Sequence, residues 1–298
     1  MSEMAAETGT TTERADESSE SPTFGHERRQ RLLRRGLYVI VGLLLVFLWI
    51  PLVAMMFLSF AVNSSTFFPF QGFTFAHYTA TFADGSLMTA LLNSVQVATF
   101  SALIATVLGV LASFALVRYD FPLKELYRTF GILPMVIPGV VLGIALIIYF
   151  QTVLGMTMGP ITLILTHSIY GFPFVLLMVT ARLYTFDRSL EDAARDLGAD
   201  PLTTFWDVTL PIVAPAIGAG FLFAWIRSFE DFIRAHFVGG TMNVITVSMY
   251  SMIKYGTAPK MNAISTFIVF VIAVALAVAM NVGNVTGYVA GTGGGEEE

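Results

Sequence analysis

The sequence predicts an all-α membrane protein with six transmembrane helices, and three observations support that reading. The 298 residues are 55% apolar and 12% charged, with a positive mean hydropathy, a balance too apolar for a soluble domain of this length. Uncharged runs recur at lengths that cross a hydrocarbon layer of about 30 Å at 1.5 Å per residue. Lysine and arginine alternate between abundance and scarcity in the segments between those runs, as expected of loops on opposite faces of a membrane.

Residues 1–25 hold six acids and Arg14. Taking them from the chain totals of 16 bases and 21 acids leaves fifteen of each, so the formal charge of -5 belongs to this tail. Rich in Ser, Thr, Glu and Ala, the tail cannot bury enough apolar surface to order itself and is expected to be disordered. Arg28, Arg29, Arg31, Arg34 and Arg35 then precede a run from Gly36 past Ala61 without a charge. A secretory signal has a much shorter apolar core, so this run reads as a first span and anchor.

Five further spans complete a six-helix transmembrane domain over 26–290. The second covers about 87–117. Between Arg128 and Arg182 lies an uncharged stretch long enough for two crossings, with 155–160 as its good turn. The third span is therefore placed near 129–154 and the fourth near 159–181. Pro134, Pro138 and Gly139 are expected to kink the third. A fifth span is placed at about 211–238 and a sixth from about 263 to 290. The last residues, 291–298, end in three glycines and three glutamates and are expected to be a disordered tail.

Basic residues resist translocation, which sets the orientation. With the N-terminus inside, the cytoplasmic segments hold the five early arginines, then Arg118, Lys124 and Arg128, then Arg182, Arg188 and Arg195. The opposite side holds only Lys254 and Lys260. Both termini are thus expected in the cytoplasm of a multi-pass protein of the plasma membrane.

One charged island interrupts this chain, from Ser189 to Pro211 within a loop at 187–211. It reads as two short helices. Ser189 suits an N-cap, with Asp192 in the place of a capping-box acid. Leu190, Ala193, Ala194 and Leu197 recur at helical spacing and leave Glu191, Asp192, Arg195 and Asp196 on the other positions. Gly198 suits a left-handed C-terminal position, and Asp200-Pro201 is a second helix start. Leu210-Pro211 marks another break. Periodicity alone admits nothing sharper than an amphipathic surface helix.

The island resembles the EAA signature of permease subunits in binding-protein-dependent ABC importers: E-A-A, three residues, G, nine residues, I-x-L-P. Aligned on Ala193, Ala194 and Gly198, Val208 falls on the Ile and Leu210-Pro211 on L-P. Asp192 replaces the Glu, with Glu191 just before it. From about 37 to 280 the chain further resembles the second permease subunit of spermidine/putrescine importers, through A-A-R-D-L-G-A at 193–199, S-F-E-D at 228–231, Y-S-M-I-K-Y-G at 250–256 and N-A at 262–263. The branch also contains permeases for other solutes.

The resemblance implies a type I ABC importer permease of MetI-like fold, whose island is a coupling helix seated on a cytoplasmic ATPase subunit. No Gly-Lys dipeptide is present, so a Walker A loop is lacking and ATP hydrolysis belongs to a partner. The implied partners are two ATP-binding subunits, a second related permease, an extracytoplasmic solute-binding protein and the lipid bilayer. Ala193 and Ala194 would permit close approach, Glu191 and Asp192 would supply docking charge, Gly198 the turn, and Leu210 and Pro211 the end of the motif.

Polar groups inside spans mark candidate pathway residues. Glu230 and Asp231 align with an acidic pair of the polyamine-type permeases. Each also lies three or four residues from both Arg227 and Arg234, so a self-neutralised ladder fits equally well. Asn93 and His167 are weaker candidates, for which a bond to a neighbouring helix is the commoner explanation. Phe67, Phe68, Phe70, Phe73 and Phe75 crowd the first outer loop and fit an interfacial segment. The four histidines have no metal-ligand spacing, and with no cysteine in the chain neither a metal nor a cofactor is expected. Nucleophile-base arrangements and basic nucleic-acid surfaces are not evident, so the chain is not read as an enzyme. The expected solute is a polyamine. Alternatives are the same machinery carrying iron, thiamine, phosphonate or another organic ion, or a secondary transporter.

Overall fold

A computed structural model of the chain describes residues 23–63, 69–256 and 258–282. Most of the expected N-terminal tail, all of the C-terminal tail, and Phe67 and Phe68 of the outer loop lie outside the described residues. Two compact units are distinguished, dividing after Phe57.

The first unit is the body of α1 (Thr23–Phe60). Its residues from Leu37 to Ile50 are exposed around the whole circumference. A helix that is apolar on every face suits hydrocarbon as its solvent.

The second unit begins at the end of that helix and continues through α2 (Ala76–Phe82), α3 (Gly85–Arg118), α4 (Lys124–Val136), α5 (Gly139–Ile148) and α6 (Pro160–Tyr184). After the island come α9 (Leu210–Phe229), α10 (Ile233–Val238), α11 (Ile245–Tyr255) and α12 (Ala258–Val282). Its centre is formed by α3, α6 and α9, each packed on the other two. Ala102, Ala105, Val175, Val179, Val213 and Ala224 are buried there. Apolar burial cannot drive helix association in lipid, so small residues and interhelical hydrogen bonds carry more of the work. Both are present. A Cβ on Gly109 would stand 2.7 Å from the Cβ of Val175, Ser113 Oγ donates to the Leu176 carbonyl at 3.0 Å, and Trp225 Nε1 donates to Thr99 Oγ1 at 3.1 Å.

Among the described residues, four helices are long and apolar enough to cross a membrane, or five if one bent pair counts as a span, against the six expected; the sixth is met by a shorter apolar helix, and its residues 283–290 lie outside the described residues. Long apolar segments occur at Leu33–Phe60, Gly85–Arg118, Pro160–Tyr184 and Pro201–Phe229. The third expected span is not one helix but α4 and α5, set at 107° to each other. Pro138 explains the break. It pushes Ile137 into extended backbone (φ -65°, ψ 130°), as the residue before a proline prefers. In α12 the apolar stretch found is Pro259–Val274. The fifth expected span also departs from the sequence reading, because its helix stops at Phe229 and resumes as α10. At the end opposite the island, Lys260 Nζ donates to Asp84 Oδ2 at 2.7 Å. This hydrogen bond, helped by Ser86, holds the Asp84 carboxyl down at about 2.

The α3–α6 contact yields a prediction. Gly109→Ala should destabilise the detergent-solubilised protein by about 1–3 kcal/mol through overpacking, lowering its thermal unfolding midpoint. Gly218→Ala is the control, since a Cβ at Gly218 meets nothing within 4 Å and should leave the midpoint unchanged or raised.

Candidate functional site

Two features of the second unit bear on function, the charged island and a polar cluster inside the spans.

The island folds as α7 (Ser189–Asp196), α8 (Pro201–Thr204) and a π-helical turn (Phe205–Thr209) that runs into α9. Its start differs from the expectation in one residue. Ser189 is the first helical residue rather than the cap, and its amide donates to Asp187 Oδ1 at 2.9 Å. That bond holds the Asp187 carboxyl below its ordinary value. The second start is as expected: Asp200 accepts from the Thr203 amide at 2.7 Å, ahead of Pro201. Gly198 has φ +92°, where a Cβ is strained in any surroundings. Ala193 and Leu197 are exposed, Leu197 by 91%, and Ala194 is half-buried. Leu210 is half-buried and Pro211 exposed, at the start of α9.

The two adjacent acids point in different directions, which the sequence reading had not distinguished. Asp192 has a 72% exposed side chain and a loose pair with Arg195 at 3.6 Å. Glu191 turns inward, with its side chain only 10% exposed. Arg118 Nη1 and Nη2 donate to its two oxygens at 2.8 and 2.6 Å, and Thr209 Oγ1 donates at 2.5 Å. Burial alone would raise this carboxyl, but the bonds from Thr209 and Arg118 outweigh it and hold it below the ordinary 4.5. The resulting stabilisation is present above the ordinary carboxylate range and is lost as pH falls through the depressed value. In the sequence Arg118 counts only as a basic residue that sets the orientation and Thr209 carries no signal, since nothing local links either to residue 191.

The polar cluster lies at the break between α9 and α10. Asp231 and Arg234 are both buried and form an ion pair through Arg234 Nε, while Asp231 Oδ1 also accepts from the Arg234 amide. The Arg234 guanidinium lies 3.4 Å above the Tyr170 ring, a cation–π contact, and 3.1 Å from where a Cβ on Gly139 would stand. Gly139 opens α5, so the breaks in the two interrupted spans meet at Arg234. His167 Nδ1 is 2.7 Å from Ser228 Oγ, which in turn is 3.0 Å from Ser101 Oγ. His167 Nε2 stands 3.5 Å from Asp231 Oδ2. Glu230 is exposed and pairs with Arg227, whose other nitrogen donates to the Tyr170 hydroxyl.

Of the four sequence-predicted pathway residues, Asp231 and His167 come together and Glu230 lies beside them. Asn93 is engaged elsewhere, donating to the Asn243 carbonyl at 2.8 Å. Tyr170, Ser228 and Ser101 complete the cluster without having been predicted. Among the described residues, no group of three or more His, Asp or Glu is placed to hold a metal ion.

Apolar spanning helices, two interrupted spans meeting at buried charges, and a short helix with open apolar positions outside the spans are features that suit a multi-pass membrane transport subunit. The chain belongs to the family of binding-protein-dependent transport system inner membrane components, which it matches over residues 105–286. It is 35% identical over 240 residues to the spermidine/putrescine transport system permease protein PotC of Escherichia coli K12, covering 80% of this chain and 89% of that protein. The putrescine transport system permease protein PotI of the same organism is 32% identical over 238 residues, 77% of this chain and 84% of that protein. In fold, the chain is similar to a bacterial ABC transporter that imports the acidic polysaccharide alginate, with TM-score 0.68 at 15% identity over 85% of this chain and 97% of that one. The MetNI methionine ABC transporter follows with TM-score 0.54 at 18% identity, over 63% and 92%. The chain is therefore a multi-pass permease subunit of an ABC importer and not itself an enzyme.

The ion pair inside the cluster yields a prediction. Asp231→Ala strands a buried guanidinium and should cost about 3–5 kcal/mol, whereas adding Arg234→Met to it should recover most of that loss. Thermal unfolding of the two variants in detergent checks this.

Proposed function

We propose that this chain forms one half of a solute pathway for polyamines of the spermidine/putrescine class, with α7 as its ATPase-coupling helix. The observation that carries the coupling assignment is α7 itself. It presents Ala193 and Leu197 to solvent beside Asp192 and Arg195, and its end is fixed by a glycine in left-handed backbone. A short helix with an open apolar strip and a charged margin suits a groove on another subunit.

In this reading α7 and both termini lie in the cytoplasm. Two ATP-binding subunits close on ATP, and each moves the coupling helix of one permease. A second, related permease completes the pathway, and an extracytoplasmic binding protein delivers the solute. Asp192, Ala193, Ala194, Gly198, Leu210 and Pro211 belong to the docking region. Asp231, His167 and Glu230 belong to the pathway, where two interrupted helices place irregular backbone and charge at one point inside the spans, as transporter binding sites do. Asn93 of α3, bonded to the Asn243 carbonyl away from this cluster, is the weaker member of the set.

The polyamine assignment rests on the relatives' substrates, at 32–35% identity over most of their lengths. One observation favours a second reading. Both acids are paired with arginines of this chain, which suits a solute of lower positive charge, such as another small organic ion.

Reconstitution with the partner subunits in vesicles tests both levels. Gly198→Val should reduce solute uptake per ATP hydrolysed, by roughly 5-fold or more on the scale of coupling energies. Unchanged uptake per ATP would count against α7 as the coupling helix. Labelled spermidine should accumulate and be displaced by putrescine. Failure of both to compete with a neutral or anionic solute that does accumulate would favour the second reading.

A further inference from the structure

Glu191 is one residue from the exposed Asp192, yet its carboxylate faces the interior of the same chain. It meets three elements at once. Arg118 is the last residue of α3, Glu191 lies in the first turn of α7, and Thr209 ends the π-helical turn from which α9 grows. Both guanidinium nitrogens and the threonine hydroxyl donate to the one carboxylate, at 2.8, 2.6 and 2.5 Å. Thr209 is 2% exposed and Glu191 8%. Arg118 is steadied from its other side by the Phe186 ring, 5.2 Å below the guanidinium. Phe186 itself belongs to the core formed by α3, α6 and α9.

Such an arrangement has mechanical consequences. A bidentate Arg–carboxylate pair fixes direction as well as distance. Breaking it by removing one partner leaves a poorly solvated charge, so the pair resists separation. Besides it, α7 meets the rest of the chain through its two flanking loops, its packing on α8 and the π-helical turn, and a longer bond from Arg188 to the Val117 carbonyl at 3.4 Å, none of which fixes direction as a bidentate pair does. With it, a displacement of α7 moves the end of α3 and the base of α9 together.

We propose that Arg118, Glu191 and Thr209 form an internal clamp that carries movement of α7 directly into α3 and α9, making Glu191 a transmission residue rather than a docking contact. The proposal rests on the reading of α7 as the coupling helix. Asp192 and the apolar strip receive the ATPase, and Glu191 passes the displacement inward. Arg118 and Thr209 act through Glu191 and are positioning residues for transport.

The test uses the complete transporter in vesicles, measuring uptake per ATP hydrolysed and co-purification of the ATPase subunit. Glu191→Gln and Arg118→Gln should each lower uptake per ATP by roughly tenfold, within the range of coupling energies between sites, while the ATPase still co-purifies. The charge-exchanged pair Arg118→Glu with Glu191→Arg should recover part of the loss, and so should Thr209→Ser relative to Thr209→Val. Loss of ATPase co-purification by Glu191→Gln would overturn the proposal, because Glu191 would then be a docking contact. Unchanged uptake per ATP in both Gln variants would overturn it as well.

A second measurement covers variants that fold poorly. The chain has no cysteine, so Glu191→Cys with Thr209→Cys can be bridged by a short bifunctional thiol reagent. A clamp that moves as one body predicts that bridging restores uptake per ATP lost in the unbridged double variant. Abolition of uptake on bridging would mean that these elements must separate during transport, and the proposal would be wrong. Gly198→Val in the same vesicles separates the two levels of inference. If it uncouples and the clamp variants do not, the clamp fails alone; if none uncouples, the coupling-helix reading fails with it.

Discussion

Val175 of α6 is wedged between two glycines, and that contact sets the spacing on which the second unit depends. A Cβ on Gly109 of α3 would stand 2.7 Å from the Val175 Cβ, and one on Gly220 of α9 would stand 3.1 Å from the Val175 Cα. In hydrocarbon, water does not push helices together, so backbones that approach this closely gain their attraction from dispersion and from hydrogen bonds. The Ser113–Leu176 and Thr99–Trp225 bonds become possible at this spacing. The three helices therefore form a frame of fixed geometry, to which the interrupted spans and the island attach.

The frame also explains where the irregular backbone lies. Unpaired amides and carbonyls are tolerated at membrane depth only when protein surrounds them. The break after Phe229 is enclosed by α6 and α11, with Thr246 Oγ1 donating to the Asp231 carbonyl at 3.1 Å and Asp231 Oδ1 receiving the Arg234 amide. The break at Pro138 is met by the Arg234 side chain, for which Gly139 leaves room. One arginine thus sits at both interruptions, and its charge is offset by Asp231 and Tyr170.

Much of this was legible in the sequence because it follows from local physics. Uncharged run length located the spans, Pro138 the break in the third, and Asp200-Pro201 and Gly198 the punctuation of the island. The E-A-A to L-P spacing pointed to the family. What was not legible depends on contacts between distant residues. Glu191 and Asp192 are adjacent acids on a charged helix, about 100° apart around its axis, and only the position of Arg118 decides which of them faces inward. Ser189 falls one place inside the helix, with Arg188 at the cap position and Asp187 accepting the Ser189 amide, a turn of two residues that periodicity does not register. The break at Glu230 was missed because no proline or glycine marks it. Its backbone is satisfied by side chains beyond the end of α9: Thr246 donates to the Asp231 carbonyl, and Asp231 Oδ1 accepts the Arg234 amide.

The two buried ion pairs differ in a way that bears on how the molecule moves. Asp231 and Arg234 are three residues apart on one segment, so the pair can persist through any rigid displacement of α10 and says little about which helices travel together. Arg118 and Glu191 are 73 residues apart, and their pair lasts only while the end of α3 and α7 keep one relative geometry. The first pair stabilises charge within an interrupted helix; the second ties separate elements. In the clamp proposed above, a force on α7 meets the frame held at Val175 through this directional charge pair as well as through the loops around it.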